Sequence, residues 1–226
     1  MAAGHGLGDQ QFTYAELDAA ARGVANLLRS RGIEPGDKVA LSCPNLPWFP
    51  IVYHGILKAG AVVVPLNVLL KGREIAYHLA DSGAKAYFCF EGATELPLGQ
   101  EGWSGFGQTP DCEHFFLMTA TPAPISPIPG AQTLTAALAD QSADFNTAAT
   151  GADDTAVILY TSGTTGRAVL GHHPRGVRPV GDQPDRHLLA LRRGDTPRLR
   201  RPTGMGRGGG PGRQGPDPGR RLRRSR

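Results

Sequence analysis

Cysteine and long apolar runs are both scarce in this sequence of 226 residues. The three cysteines, Cys43, Cys89 and Cys112, are sparse and odd in number, which argues against a disulfide scaffold and favours a reducing compartment, here the cytoplasm. The most apolar stretch, residues 46–66, is interrupted by three prolines, a histidine and a lysine, so no transmembrane segment is predicted. The first eleven residues lack the basic and apolar regions of a secretory signal. Peripheral contact with a membrane stays open.

Charge and composition divide the chain near residue 167. Residues 1–166 hold 8 basic and 16 acidic residues, whereas residues 167–226 hold 16 arginines and 4 aspartates. The second stretch also has 12 glycines and 8 prolines, but no aromatic residue, isoleucine, lysine or glutamate. So few apolar residues cannot offset the entropy lost on ordering the chain. We therefore expect a folded part followed by a disordered Arg/Gly/Pro-rich tail.

Apolar strands alternate with amphipathic helices in the first part of the chain. Strands are predicted over residues 38–43, 61–64, 85–90, 155–160 and 168–173, and helices over residues 13–31, 48–59, 71–81 and 134–139. The first three strands begin about 22 residues apart, which leaves room for one helix in each right-handed crossover between parallel strands. The sequence therefore predicts an α/β fold, a mostly parallel sheet with flanking helices. Residues 91–130, with four closely spaced prolines, are predicted to be loop-rich.

A segment rich in glycine and hydroxyl groups follows the strand at residues 155–160. Its two glycines let the backbone approach a ligand closely, and its hydroxyl and backbone N–H groups form a concave set of donors that suits phosphate oxygens. The spacing differs from that of a Walker A loop, and the alternative is a polar turn. The predicted phosphate-binding residues are Thr161, Ser162, Gly163, Thr164, Thr165 and Gly166. No residue is assigned a catalytic or metal-binding role.

The same segment carries a resemblance to a known family. Together with its flanking residues, Tyr160 to Arg167 read YTSGTTGR, which resembles the phosphate-binding signature of the adenylate-forming (AMP-binding) superfamily. Stretches 12–17, 36–41, 58–67 and 73–79 also resemble family phrases in family order. The pattern is closest to bacterial fatty-acid–CoA ligases, which are acyl-CoA synthetases. The resemblance covers residues 8–173, an N-terminal fragment of a whole member. It therefore implies a boundary between the folded part, residues 1–173, and the disordered tail, residues 174–226.

The resemblance implies an ATP-dependent acid–thiol ligase. In such enzymes a carboxylate attacks the α-phosphate of ATP, which gives an acyl-adenylate and pyrophosphate, and the thiol of CoA then displaces AMP. Residues 161–166 would hold the β- and γ-phosphates, with Mg²⁺ offsetting their charge. The substrate would be a fatty acid or another carboxylic acid. A second enzyme hypothesis is an adenylation domain for an amino or aryl acid.

The sequence departs from the family pattern directly after the loop. The pattern continues Pro-Lys-Gly after the position of Arg167, whereas Ala168 begins the next strand here. Three residues are therefore missing, among them a lysine that would place a point charge near the phosphates. The acyl pocket, the magnesium carboxylate, the ribose-binding acid and the lid lie beyond the resemblance. We therefore expect this chain to be inactive by itself.

Two interpretations of residues 174–226 stay open. This stretch lacks Lys, Ile, Asn, Phe and Tyr, whose codons are AT-rich, and is filled with Arg, Gly and Pro, whose codons are GC-rich. An out-of-frame reading of GC-rich DNA gives such a composition, and we favour a frameshift. The alternative is a non-catalytic module whose basic tail binds polyanions. Because no aromatic residue is interleaved for base stacking, no specific nucleic-acid binding is expected.

Overall fold

The structure is a computed structural model, and it describes residues 11–162, 168–170 and 189–192, all within one compact unit. The helices of this part are α1 (Tyr14–Ser30), α2 (Trp48–Lys58), α3 (Gly72–Ser82), α4 (Leu98–Phe106) and α5 (Leu134–Leu138). The strands are β1 (Lys38–Ser42), β2 (Val62–Pro65), β3 (Ala84–Phe90), β4 (His114–Met118), β5 (Gln132–Thr133), β6 (Thr155–Ser162), β7 (Ala168–Leu170) and β8 (Leu189–Arg192).

The first six strands form a parallel sheet in the order β5-β4-β3-β1-β2-β6. β1 lies between β2 and β3, so the chain winds to one side of β1 first and then returns to the other. β7 and β8 pair antiparallel with β6. The predicted α/β fold with a mostly parallel sheet and flanking helices is confirmed.

Helices cover both faces of this sheet. Right-handed crossovers that run in opposite directions place α2 on one face and α3 on the other. α1 and α5 join α2, and α4 packs against α3. Nearly all residues of the first four strands are buried, as expected for a sheet covered on both faces. Val39, Val63, Phe88 and Leu117 are fully buried. None of the described helices has the length and apolar character needed to cross a membrane.

Local sequence accounts for both ends of α1 and for the C-terminal end of α3. Thr13 caps α1: its Oγ1 accepts a hydrogen bond from the Glu16 N–H at 3.2 Å, and Glu16 Oε2 accepts one from the Thr13 N–H at 2.8 Å. This is a reciprocal capping box, which a threonine followed three residues later by glutamate favours. Gly32 and Gly83 follow the two helices with φ values of 76° and 64°, so both supply the left-handed stop that glycine adopts without strain.

The prediction that residues 91–130 are loop-rich is wrong over α4 and β4. α4 contains Gly99, Gly102 and Gly105, and glycine lowers helix propensity by about 1 kcal/mol relative to alanine. These glycines lie against the protein interior: a Cβ at position 102 would come within 2.5 Å of Cys89 Sγ, and one at 105 within 2.7 Å of Ile75 Cγ2. Close packing therefore stabilises a helix whose local sequence disfavours it.

A side chain of α4 also accepts a hydrogen bond from the first turn of α3. Glu101 Oε2 accepts a hydrogen bond from the Gly72 N–H at 2.8 Å, and Glu101 Oε1 lies 3.4 Å from Lys71 Nζ. The Gly72 N–H, followed by Lys71, lowers the pKa of the Glu101 carboxyl below its ordinary value. The carboxylate thus pairs one of the backbone N–H groups that a helix leaves without an internal partner.

Four residues of the stretch predicted to be a disordered tail form β8. Their backbones pair with β6 from Thr155↔Arg192 to Leu159↔Leu189. The rest of residues 174–226 lies outside the described part of the chain, so the boundary at residue 173 and the disorder of that remainder stay predictions.

We predict that Gly102→Ala destabilises the protein although alanine is the better helix former. The added methyl group would overlap Cys89 Sγ, and overpacking of this kind costs about 1–3 kcal/mol. Urea unfolding followed by circular dichroism measures the loss. Gly107→Ala is the matched control, because its Cβ would meet only the Trp103 carbonyl oxygen at 3.5 Å and the Ser104 carbonyl oxygen at 3.8 Å. Equal stability of the two variants would contradict this packing.

We predict that Glu101→Gln lowers the free energy of unfolding at neutral pH and changes it little in acid. Because folding lowers the pKa of Glu101 from 4.5, its stabilisation is complete above that pH and is lost as the pH falls through the folded value. The difference in unfolding free energy between wild type and variant should therefore shrink below pH 4.5. Glu95→Gln, at an exposed turn, is the control. A difference that is constant with pH would rule out the ionic contribution.

Candidate functional site

The segment predicted to bind phosphate begins inside β6. Thr161 and Ser162 are the last residues of that strand, and their backbones pair with Val169 and Ala168 of β7. β6 is therefore two residues longer than predicted. Residues 163–166, the remainder of the predicted site, lie outside the described residues. The strand predicted over residues 168–173 is confirmed over β7.

β6 and β7 form a hairpin that holds this segment. Ser162 pairs with Ala168, so residues 163–167 connect the two strands. Part of the backbone hydrogen-bonding capacity of Thr161 and Ser162 is therefore used in the ladder. Both glycines of the motif, Gly163 and Gly166, belong to this connection, which lies outside the described residues.

The hairpin leaves the sheet at its carboxyl edge. β6 runs parallel to β2, with Val157 opposite Val63, so the end of β6 lies on the same edge as the ends of β1 and β3. In open α/β sheets, ligands bind outside the carboxyl ends of the strands. The position of the hairpin therefore agrees with a ligand-binding role.

Tyr160 attaches the end of β6 to α3. Its half-buried hydroxyl donates to Asp81 Oδ2 at 3.0 Å and lies 3.4 Å from the His78 carbonyl oxygen. The ring meets that of His78 edge-on, with centroids 4.3 Å apart. Burial, and then the negative charge of Asp81, raise the pKa of Tyr160, so the hydroxyl stays a donor. Sequence reasoning missed this link because Asp81 lies 79 positions away and no local pattern joins them.

The cysteines do not add a reactive thiol to the site. All three are buried, and burial raises the pKa of Cys43, Cys89 and Cys112 to about 12. Thiols are nucleophilic as thiolates, so these three buried side chains are core residues and not nucleophiles. Tyr87 donates to Ser42 Oγ at 2.8 Å next to Cys89, which joins β1 and β3 inside the core.

The described residues contain no metal cluster. Among them, no group of three or more His, Cys, Asp or Glu side chains could hold a metal ion. Hydroxyl and N–H donors suit the oxygens of ATP phosphates, so the chemistry of the hairpin fits ATP. The carboxylates that Mg²⁺ prefers do not come together in this part of the chain.

A cavity of about 420 Å³ lies elsewhere. Lys38, Val62 and Thr155 line it, together with Gly36 and Gly60. These residues lie at the amino ends of β1, β2 and β6, or directly before them. The cavity is therefore at the edge of the sheet opposite the hairpin, and it forms no part of the candidate phosphate site.

Comparison with known proteins connects these features to one family. The sequence matches the AMP-binding enzyme family over residues 3–170. The long-chain-fatty-acid–CoA ligase FadD13 of Mycobacterium tuberculosis is 34% identical over 169 residues, which are 75% of this chain and 29% of that protein. The 3-hydroxybenzoate/4-hydroxybenzoate–CoA ligase of Thauera aromatica is 31% identical over 187 residues, which are 83% of this chain and 34% of that protein. The chain thus spans only the smaller part of the length of these relatives.

A solved structure shares the fold. The anthranilate–CoA ligase AuaEII, crystallised with anthranoyl-AMP, superposes with a TM-score of 0.62 at 26% identity. The alignment covers 71% of this chain and 29% of that protein. Since the family match extends over most of the chain and the sheet has the same architecture, the chain belongs to the AMP-binding enzyme family.

Proposed function

We propose that the chain is the N-terminal portion of an ATP-dependent acid–CoA ligase in which residues 161–166 hold the β- and γ-phosphates of ATP. The observation that carries this proposal is the position of the hairpin: β6 leads the glycine- and hydroxyl-rich motif out of the carboxyl edge of the sheet. The ligases to which the chain is similar act on carboxylic acids and CoA, as their names state.

The residues of the hairpin bind and orient the nucleotide. Backbone N–H groups of residues 163–166 and the threonine and serine hydroxyls donate to phosphate oxygens, and the glycines allow close approach. Bound Mg²⁺ would neutralise phosphate charge. The reaction that such a site serves joins the AMP portion of ATP to a carboxylate with release of pyrophosphate, and CoA then takes the acyl group with release of AMP.

The substrate we favour is a long-chain fatty acid. The support is the similarity to the M. tuberculosis ligase at 34% identity. An aryl acid is the second candidate, because the T. aromatica relative is a hydroxybenzoate–CoA ligase and the structural neighbour is an anthranilate–CoA ligase. Since the chain matches only 29% and 34% of the two relatives, we propose that it does not catalyse the reaction alone.

We predict that this chain shows no acid-dependent exchange of pyrophosphate into ATP. We further predict that a coding frame which restores Pro-Lys-Gly after Arg167 and continues as an α/β enzyme gives a protein that does. Sequencing across the codons for residues 166–173 in all three frames identifies that product. An acid panel of palmitate, benzoate and an amino acid then separates the substrate candidates. Exchange by the present chain would contradict its inactivity, and a full product that activates none of these acids would contradict the ligase proposal.

We predict that insertion of Pro-Lys-Gly between Arg167 and Ala168 strengthens ATP binding. The lysine adds one charge-assisted contact to the phosphates, and about 1.5 kcal/mol for such a contact corresponds to about tenfold in Kd. Titration with MgATP by calorimetry measures the change. The matched control inserts Pro-Ala-Gly, which restores loop length without the charge. Equal affinities of the two insertion variants would show that no charge acts on the phosphates at this position.

A further inference from the structure

The C-terminal end of β6 extends beyond the neighbours that hold it in the sheet. β6 pairs with β2 at Val157 and with β8 as far as Leu159. In the described part of the chain, residues 160–162 pair with β7 alone. β7 is the second strand of the same hairpin, so these ladder hydrogen bonds do not fasten the hairpin to the rest of the protein.

Side-chain contacts of Tyr160 supply that attachment. The hydroxyl donates to Asp81 Oδ2, and the ring packs edge-on against His78. Both partners belong to the C-terminal half of α3. His78 is 4% exposed, and its Nδ1 lies 2.6 Å from the Glu74 carbonyl oxygen, so the surface that Tyr160 meets is itself held in place.

Both ends of α3 are stabilised. The Gly72 N–H in its first turn donates a hydrogen bond to Glu101 of α4, and Gly83 in the left-handed conformation ends its last turn. Buried Ile75 and Leu79 fix its inner face against the core. A contact between Tyr160 and this helix therefore restrains the direction of the hairpin relative to the sheet.

We propose that Tyr160 is a positioning residue: by binding Asp81 and packing on His78, it sets the direction in which the C-terminal end of β6 leaves the sheet toward the proposed phosphate site. The role toward a nucleotide rests on the proposed function. The attachment of the hairpin to α3 does not, and it is measured separately.

The first experiment monitors the hairpin itself by hydrogen–deuterium exchange on the full chain. Tyr160→Phe keeps the ring and removes the hydroxyl. A hydrogen bond worth about 1 kcal/mol changes the opening equilibrium about fivefold, so peptides covering residues 160–170 should exchange about fivefold faster. Peptides from β1 and β3 should be unchanged. Tyr77→Phe is the matched control, because the Tyr77 ring, like that of Tyr160, meets the His78 ring edge-on, but Tyr77 is 46% exposed.

The second experiment measures MgATP affinity of the same proteins by calorimetry. Tyr160→Phe and Asp81→Ala should each weaken binding about fivefold, because each removes the same hydrogen bond between Tyr160 and Asp81. Asp81→Asn retains an acceptor oxygen and should bind more tightly than Asp81→Ala. Tyr77→Phe should leave the affinity unchanged. This ordering distinguishes positioning from a general loss of stability.

The outcomes separate the two proposals. Faster exchange confined to the hairpin, with weaker binding, supports both. The same exchange pattern in proteins that bind no ATP supports the attachment and overturns the proposed phosphate site. Unchanged exchange in Tyr160→Phe, or an increase spread over the whole sheet, overturns the positioning role.

Discussion

Parallel pairing of β1 with both β2 and β3 is the constraint on which the rest of the structure depends. Because β1 has a neighbour on each side, the crossovers through α2 and α3 must lie on opposite faces, and both faces of the sheet become buried. The hydrogen bond from Tyr87 to Ser42 joins β1 to β3 inside the core. Every other element is positioned relative to this central pairing.

The candidate site is a consequence of that arrangement. β6 joins the sheet beside β2, so its carboxyl end and the phosphate motif reach the same edge as the ends of the central strands. α3 returns the chain from β2 to β3 and thereby brings Asp81 and His78 under Tyr160. The crossover helix that builds the fold thus also contacts the end of β6 that leads into the segment proposed to bind phosphate.

The chain shows how much of an adenylate-forming fold its N-terminal portion can build. Residues from α1, α2, α3 and α4 enclose one continuous core with the strands, and this core includes the lead-in to the phosphate motif. The residues for acyl binding, metal binding and the second half-reaction do not belong to this portion, according to the family resemblance.

The sequence itself determined the alternation of strands and helices, the capping box at Thr13 and the glycine- and hydroxyl-rich motif, because each depends on residues close together in the chain. Local sequence could not predict α4, because its glycines lower helix propensity. The close packing of Gly102 on Cys89 of β3 is a tertiary contact, which local propensity does not include. The two extra residues of β6 depend on pairing with β7. Only the tertiary structure decided that Tyr160 meets Asp81, because 79 positions of chain separate them and the winding of the sheet alone brings them into contact.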